Sequence, residues 1–358
     1  MNILVVKLGA LGDVVRTTSL LKPLRARHPG CRIWWATSPA AKSLLENNLY
    51  IHTLLTVDGL SRLPRGVRFD LVLSLEEDAR VAELAAEHCR GEFVGVFNDD
   101  GALKYTDSSA RYYAMSLLNR DPDGELKTAN ALKAKNRLTY AELWLEILGL
   151  PMPKRRDDLA PVLKLTARDR RAAGAIARRH GIRRGQAIGV NPGAGRRWPA
   201  KQISAARAAG LLDALHRRFG RPILLFGGRY EARRNREIAR WANAPVIDAG
   251  TSHGLRAFAG LLELCGALVT TDSLALHLAA ALRVPTVALA GPTSSAELDL
   301  FGCGRILKAP RCSCFYLQRC RLKASCLDRM PDAAILRAVK TVSRFTPLAG
   351  KRKTSDER

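Results

Sequence analysis

Short apolar, β-branched runs alternate with segments of helical spacing along the first 148 residues, stop at a polar stretch, and then begin again. This recurrence confines the chain to α/β folds. In the first half, strands are expected at 3–6, 32–36, 53–57, 71–75 and 93–96. Leu11, Val14, Val15, Thr18 and Leu21 fall at helical spacing after the first run, and 79–89 has the same period. The strand runs are largely apolar rather than alternating, as expected of a parallel sheet covered on both faces. A helix over 139–148 is closed by Gly149, and Pro151-Met152-Pro153-Lys154-Arg155-Arg156 reads as a linker. Further strands are expected at 187–191, 222–226, 267–271 and 286–290, with helices at 172–180, 203–219, 273–282 and 333–342.

A chain of 358 residues exceeds what one ordinary core holds. Two doubly wound, Rossmann-like α/β domains of similar size follow, residues 1–155 and 156–345, facing a cleft. The final helix is free to pack back on the first domain, and 346–358 forms a basic, disordered tail. No period of about 20–50 residues marks a solenoid or propeller. No apolar stretch is long enough to span a bilayer, and the N-terminus reads as a strand rather than a secretory signal, so a cytoplasmic protein is expected. The net charge of +25 favours polyanionic partners, whether nucleic acid, phosphorylated sugars or an anionic membrane face; a merely solvated basic surface explains it equally well. The segment after Gly304 is especially basic, with 14 Lys and Arg against 4 acidic residues.

Four turns carry chemistry. Lys7-Leu8-Gly9-Ala10-Leu11-Gly12-Asp13 follows the first strand, where Gly9 and Gly12 let the backbone approach a ligand. It has G-x-x-G and lacks the third glycine of the dinucleotide fingerprint, which disfavours an NAD enzyme. Asp13 sits in the first helical turn, where it can cap the helix or remain ionised as a general base. Asn191-Pro192-Gly193-Ala194-Gly195-Arg196-Arg197 ends a strand of the second half; its backbone N–H groups and paired arginines suit a pyrophosphate, or the loop is an ordinary turn. In Thr270-Thr271-Asp272-Ser273, either of the last two residues can cap the next helix. His277 follows four residues later; taken alone, such a histidine is more often a satisfied core residue than a ligand group. Gly291-Pro292-Thr293-Ser294-Ser295 is another turn suited to an anion or to capping.

The order and spacing of these segments resemble glycosyltransferase family 9, the ADP-heptose:lipopolysaccharide heptosyltransferases. The likeness rests on Gly12-Asp13, on Asn191 to Ala194 with Trp198-Pro199, on Thr270-x-Asp272-Ser273 with His277, on Gly291-Pro292-Thr293-Ser294, and on Phe226-Gly227-Gly228. It implies a GT-B architecture, an N-terminal acceptor domain beside Gly9 and Gly12, and a C-terminal nucleotide-sugar domain. Asp13 would be the base of an inverting transfer. Asn191, Gly193, Ala194, Arg196, Arg197, Asp272, Ser273, His277, Gly291, Thr293 and Ser294 would surround an ADP-sugar. Cofactor and metal would not be required, because helix N-termini and basic side chains meet the leaving diphosphate. The acceptor would be a phosphorylated, lipid-linked glycan at the inner face of the cytoplasmic membrane, and no specific nucleic acid is expected. Leu274 departs from the family, which usually has glycine there. A non-catalytic polyanion-binding protein on the same scaffold would bind without turnover, and a nucleotide-sugar epimerase would turn over without acceptor.

Cys312-x-Cys314-x5-Cys320-x5-Cys326 lies in the basic segment. Four thiols so close can surround zinc or an iron–sulfur cluster, although the spacing lacks paired C-x-x-C knuckles. Free or locally paired structural thiols fit the same pattern, and so does a role in acceptor chemistry.

Overall fold

A computed structural model describes residues 1–115, 126–310, 312, 319–320 and 322–346, with the side chains of 126 and 127 excepted. Six strands form the first sheet: β1 (Asn2–Val6), β2 (Arg32–Thr37), β3 (Thr53–Thr56), β4 (Phe69–Ser74), β5 (Cys89–Asp99) and β6 (Ala102–Tyr105). Their order is 3-2-1-4-5-6, and every pair is parallel except β5 with β6. A second, wholly parallel sheet holds β7 (Ala187–Asn191), β8 (Ile223–Leu225), β9 (Val246–Asp248), β10 (Cys265–Thr271), β11 (Thr286–Ala290) and β12 (Gly304–Lys308). Its order, 12-11-10-7-8-9, repeats the plan of the first. In each sheet the chain reverses direction of travel between two central strands, β1/β4 and β7/β10, and such a switch point opens a crevice at the strands' carboxyl ends.

The inner strands are legible because they are apolar throughout; β1, β10 and β11 are buried along almost their whole length. The edge strands β6, β9 and β12 escape the sequence reading because solvent reaches one flank and their side chains alternate or carry charge, as in Gly304-Arg305-Ile306-Leu307-Lys308.

The lobes meet along α1 (Leu11–Thr17), α2 (Pro39–Leu45) and several loops. Hydrophobic clusters cross the seam: Leu276, Ala280 and Phe301 pack with Val14, Tyr140 and Trp144. Val15 and Leu44 join the cluster built on β8 and β10. The chain changes lobe shortly after the linker, since Leu159 and Ala160 belong to the first of these clusters and Leu163 and Leu165 to the second. Arg256 anchors the seam from the second lobe. Its Nη1 donates to the Ser43 (2.9 Å) and Glu46 (3.2 Å) carbonyls of the first lobe, and its Nε and Nη2 engage Asp169 at 3.0 and 2.7 Å.

The last helix, α4 (Asp332–Val342), does not return to the first lobe. Ile335, Ala338 and Val339 sit in the core of the second sheet beside Ile188 and Val287. The chain beyond it is held there too, with Thr346 N bonded to the Gly185 carbonyl at 3.0 Å. The apolar face of α4 packs against β10, β11 and β12. The expected tail lies, beyond Thr346, outside the described residues. Among the described residues no helix is long and apolar enough to cross a membrane.

Candidate active site

Both switch points open into one cleft of about 490 Å³. On the first lobe, the turn after β1 is tied down from below. Glu76, just past β4, accepts from Lys7 Nζ (3.0 Å) and from the backbone N–H groups of Leu8 (2.9 Å) and Gly9 (3.2 Å). Thr37 and Ser38 hydroxyls bond the Lys7 and Leu8 carbonyls at 2.8 and 2.7 Å. Gly9 keeps open space around its Cα, as a ligand-facing turn needs, whereas Gly12 serves the seam. A Cβ at residue 12 would stand 2.6 Å from His277 Cδ2, so this glycine admits the opposing helix α3 (Leu274–Ala281) rather than a ligand. Gly12→Ala should therefore cost about 1–3 kcal/mol in urea unfolding. Combining it with His277→Ala should be less than additive, because the second change removes the atoms in the way.

Asp13 does not cap α1: the N-cap is Ala10, and the Asp13 carboxylate pairs with Arg16 Nε at 2.9 Å. Its side chain is 36% exposed and faces the cleft. Burial pushes its carboxyl up, but Arg16, then Lys7, His277 and Lys201 pull harder, and the net shift is below the ordinary value. Arg16 is held in turn over the Tyr140 ring (4.1 Å) and near Glu297 (4.0 Å). Glu297 also takes Lys133 at 3.0 Å, joining a helix of the first lobe (Leu126–Lys135) to a loop of the second.

From the second lobe, Ala194, Arg197, Asp272, Ser273, His277, Thr293 and Ser294 line the same cleft. Asp272 Oδ2 accepts from Lys201 Nζ and from Thr293 Oγ1, each at 2.7 Å. Burial pushes the Asp272 carboxyl up; Lys201 and His277, with the bonds from Lys201 and Thr293, bring it far below the carboxylate range. His277 Nε2 lies 4.0 Å from Asp272 Oδ1, yet burial first and Arg16 next lower its pKa to about 4, so the ring is neutral at pH 7. Ser273 is the N-cap residue of α3 without a side-chain cap; its hydroxyl instead lies 3.1 Å from both Asn191 Nδ2 and Thr270 Oγ1. The α3 N-terminus is thus left facing the cleft. Arg197 carries no ion pair with any described residue.

Four expected site residues stand behind the cleft. Asn191 is buried and its amide donates to the Gly193 carbonyl at 3.0 Å, shaping the loop. Gly193 leaves room for Glu231, whose Cγ would lie 2.6 Å from a Cβ there. Arg196 turns outward over the exposed Tyr230 ring at 5.1 Å. Gly291 packs against Leu327, 3.0 Å from where a Cβ would be. Other residues came to light only in three dimensions: Lys201, Glu297, Lys133 and Glu231. Glu231 accepts from Gly195 N and Gly228 N at 2.9 Å each and so locks two strand-end turns together.

Of the clustered cysteines, Cys326 is buried in the second lobe's core, Cys312 packs against it, Cys320 is half-buried, and Cys314 lies outside the described residues. Among the described residues no group of three or more His, Cys, Asp and Glu is disposed to hold a metal ion.

Comparison with known proteins meets this geometry. The family model of glycosyltransferase family 9 (heptosyltransferase) matches residues 65–303. The chain is 26% identical over 313 residues to lipooligosaccharide heptosyltransferase 2 of Haemophilus influenzae, covering 82% of this chain and 84% of that one. Its fold is that of a family 9 glycosyl transferase from Veillonella parvula (TM-score 0.68, 19% identity, 95% and 96% of the two chains). It also matches the E. coli ADP-heptose lps heptosyltransferase II (TM-score 0.66, 20% identity, 96% and 98% covered).

Proposed function

Because this chain belongs to glycosyltransferase family 9, we propose that it moves heptose from ADP-heptose, with inversion, onto a hydroxyl of a lipopolysaccharide core or related lipid-linked glycan. That it is a glycosyltransferase of GT-B fold follows from the family; donor, acceptor and stereochemistry are the proposal. One observation carries it. The Asp13 carboxylate opens into the same cleft as Arg197, Lys201, Thr293 and the N-terminus of α3.

The donor diphosphate lies against the second lobe, where the α3 N–H groups and Arg197 meet its charge. Lys201, released in part from Asp272, adds a further cation. The acceptor enters over the first lobe with its hydroxyl against Asp13. Its oxygen forms a bond to the anomeric carbon as the bond from that carbon to the diphosphate oxygen breaks. Asp13 takes the hydroxyl proton, and the leaving diphosphate keeps the electron pair, stabilised by preorganised donors. Neutral His277 holds the seam between Asp13's helix and Asp272 and is not the base. The net charge of +25 supports an acceptor presented at an anionic membrane face.

The donor is tested by thermal unfolding with ADP-, GDP-, UDP- and TDP-sugars. Since a ligand selective for the folded state stabilises it by about 2.7 kcal/mol at a hundred times its Kd, the ADP-sugars should raise Tm most. Equal shifts from all four nucleotides, or the largest from GDP, UDP or TDP, would refute the donor assignment.

A further inference from the structure

A second cavity, of about 430 Å³, adjoins the cleft and shares Lys133 and Ser294 with it. Its rim is built from both lobes: Arg137 and Asn136 from just after the helix ending at Lys135, Ser295 from the turn after β11, and Lys308 from the end of β12. Three cations and two hydroxyls converge there, and neither aspartate nor glutamate is among the described residues that line it. Lys308 and Arg137 have no carboxylate partner among the described residues; Arg137 Nη1 rests on the Ala134 (2.8 Å) and Asn136 (3.0 Å) carbonyls, which aims its guanidinium but leaves its charge unmatched. Around the reaction cleft the basic groups other than Arg197 are matched: Lys7 with Glu76, Arg16 with Asp13, Lys133 with Glu297, Lys201 with Asp272. A hollow in which two of three cations, Arg137 and Lys308, are unmatched attracts an anion that does not take part in the reaction.

We propose that this hollow is a phosphate subsite for the acceptor. It would hold a phosphate substituent by charge-assisted bonds from Arg137 and Lys308 with hydroxyl donation from Ser295, and so fix the register in which the acceptor hydroxyl meets Asp13. The proposal rests on the transferase reading above, and it concerns residues outside the reacting set. Because the hollow lies between lobes, occupancy would also hold the Arg137 segment against the β11–β12 edge.

Arg137→Glu/Lys308→Glu tests it, since both side chains are exposed and the exchange spares the core. With the donor site saturated by ADP, inorganic phosphate titrated calorimetrically into the wild type should bind, and the double variant should lose at least tenfold in affinity. In steady-state assays the variant should raise KM roughly tenfold for a phosphorylated acceptor while kcat and donor KM hold. With acceptor stripped of phosphate, wild type and variant should converge. Absence of phosphate binding to the ADP-loaded wild type, or equal binding by the variant, overturns the subsite. Phosphate binding that the variant loses without any change in acceptor KM overturns its assignment to the acceptor. The calorimetric arm needs no turnover, so a failure of the transferase reading would show separately, as wild type inactive on every lipid-linked glycan.

Discussion

Asp13→Ala should lower kcat by about 10²–10⁴-fold, the contribution of a positioned general base, while the affinity for the nucleotide-sugar stays within a few-fold of wild type. The split follows from the geometry. Asp13 projects from the first lobe, whereas Arg197, Thr293 and the α3 N-terminus belong to the second. Asp13→Asn keeps the shape but removes the carboxylate's charge, and with it both proton acceptance and the ion pair with Arg16, so it should be nearly as inactive. The pH dependence has a defined sign. Arg16, Lys7, His277 and Lys201 together outweigh burial and hold the Asp13 carboxyl below its ordinary value, so it is ionised throughout the neutral range. The wild-type rate should hold from neutral pH downwards and fall only where pH passes below the usual carboxylate range. A low proton affinity makes Asp13 a weak base at rest. In the proposed mechanism the proton therefore leaves late, when the acceptor oxygen has already bonded to the anomeric carbon and become acidic.

Lys201→Ala should destabilise the fold by about 3–5 kcal/mol at pH 7 and weaken donor binding at the same time. Lys201 and Asp272 are 17% and 12% exposed and lie 2.7 Å apart, so removing the lysine strands a carboxylate left facing Thr293 and a neutral His277 among the described residues. The sign of the pH effect can be checked. Asp272 has a folded-state pKa depressed below its unfolded value, so its stabilisation is present above about pH 4 and is lost as pH falls further. Without Lys201 that depression shrinks. The stability gap between wild type and variant should stay level from neutral pH to about pH 4 and narrow as pH falls below it. Urea unfolding at about pH 7, 4 and 3 measures it, and a gap that widens in acid would contradict the ion-pair account. Lys201→Ala/Asp272→Ala should recover much of the lost stability, because the stranded charge is gone.

The reach of the sequence is uneven for physical reasons. β1, β7, β10 and β11 announce themselves because they are apolar on both faces, and the turns that follow them contain the residues that line the cleft. The helix Ala232–Trp241 is hard to see because it buries little more than Asn235 and Ile238 and is otherwise charged. Lys201 illustrates the harder problem. In a chain with 58 lysines and arginines a lysine draws no notice, and only its burial against Asp272 distinguishes it. Glu231, Glu297 and Lys133 are similar, since each gains meaning from a partner distant in sequence. Conversely, Asn191 and Gly193 are visible as a motif, but their side-chain positions work on the loop's own shape. Gly12 was legible as a close approach, though what approaches is His277 of the other lobe. Arg196 and Arg197 could not be told apart by spacing, and their surroundings separate them: Tyr230 draws one outward and the cleft receives the other.

The central claim is that one carboxylate on the acceptor side and a diphosphate cradle on the other perform a single displacement. The anomeric configuration of the product tests it most directly. A donor of known anomeric configuration should be converted, in the presence of acceptor, and the new linkage assigned by the anomeric proton signals in NMR. Inversion at the anomeric carbon, dependent on Asp13, is the expected result. Retention of configuration, or turnover of the donor into a rearranged nucleotide-sugar with no acceptor present, would contradict it.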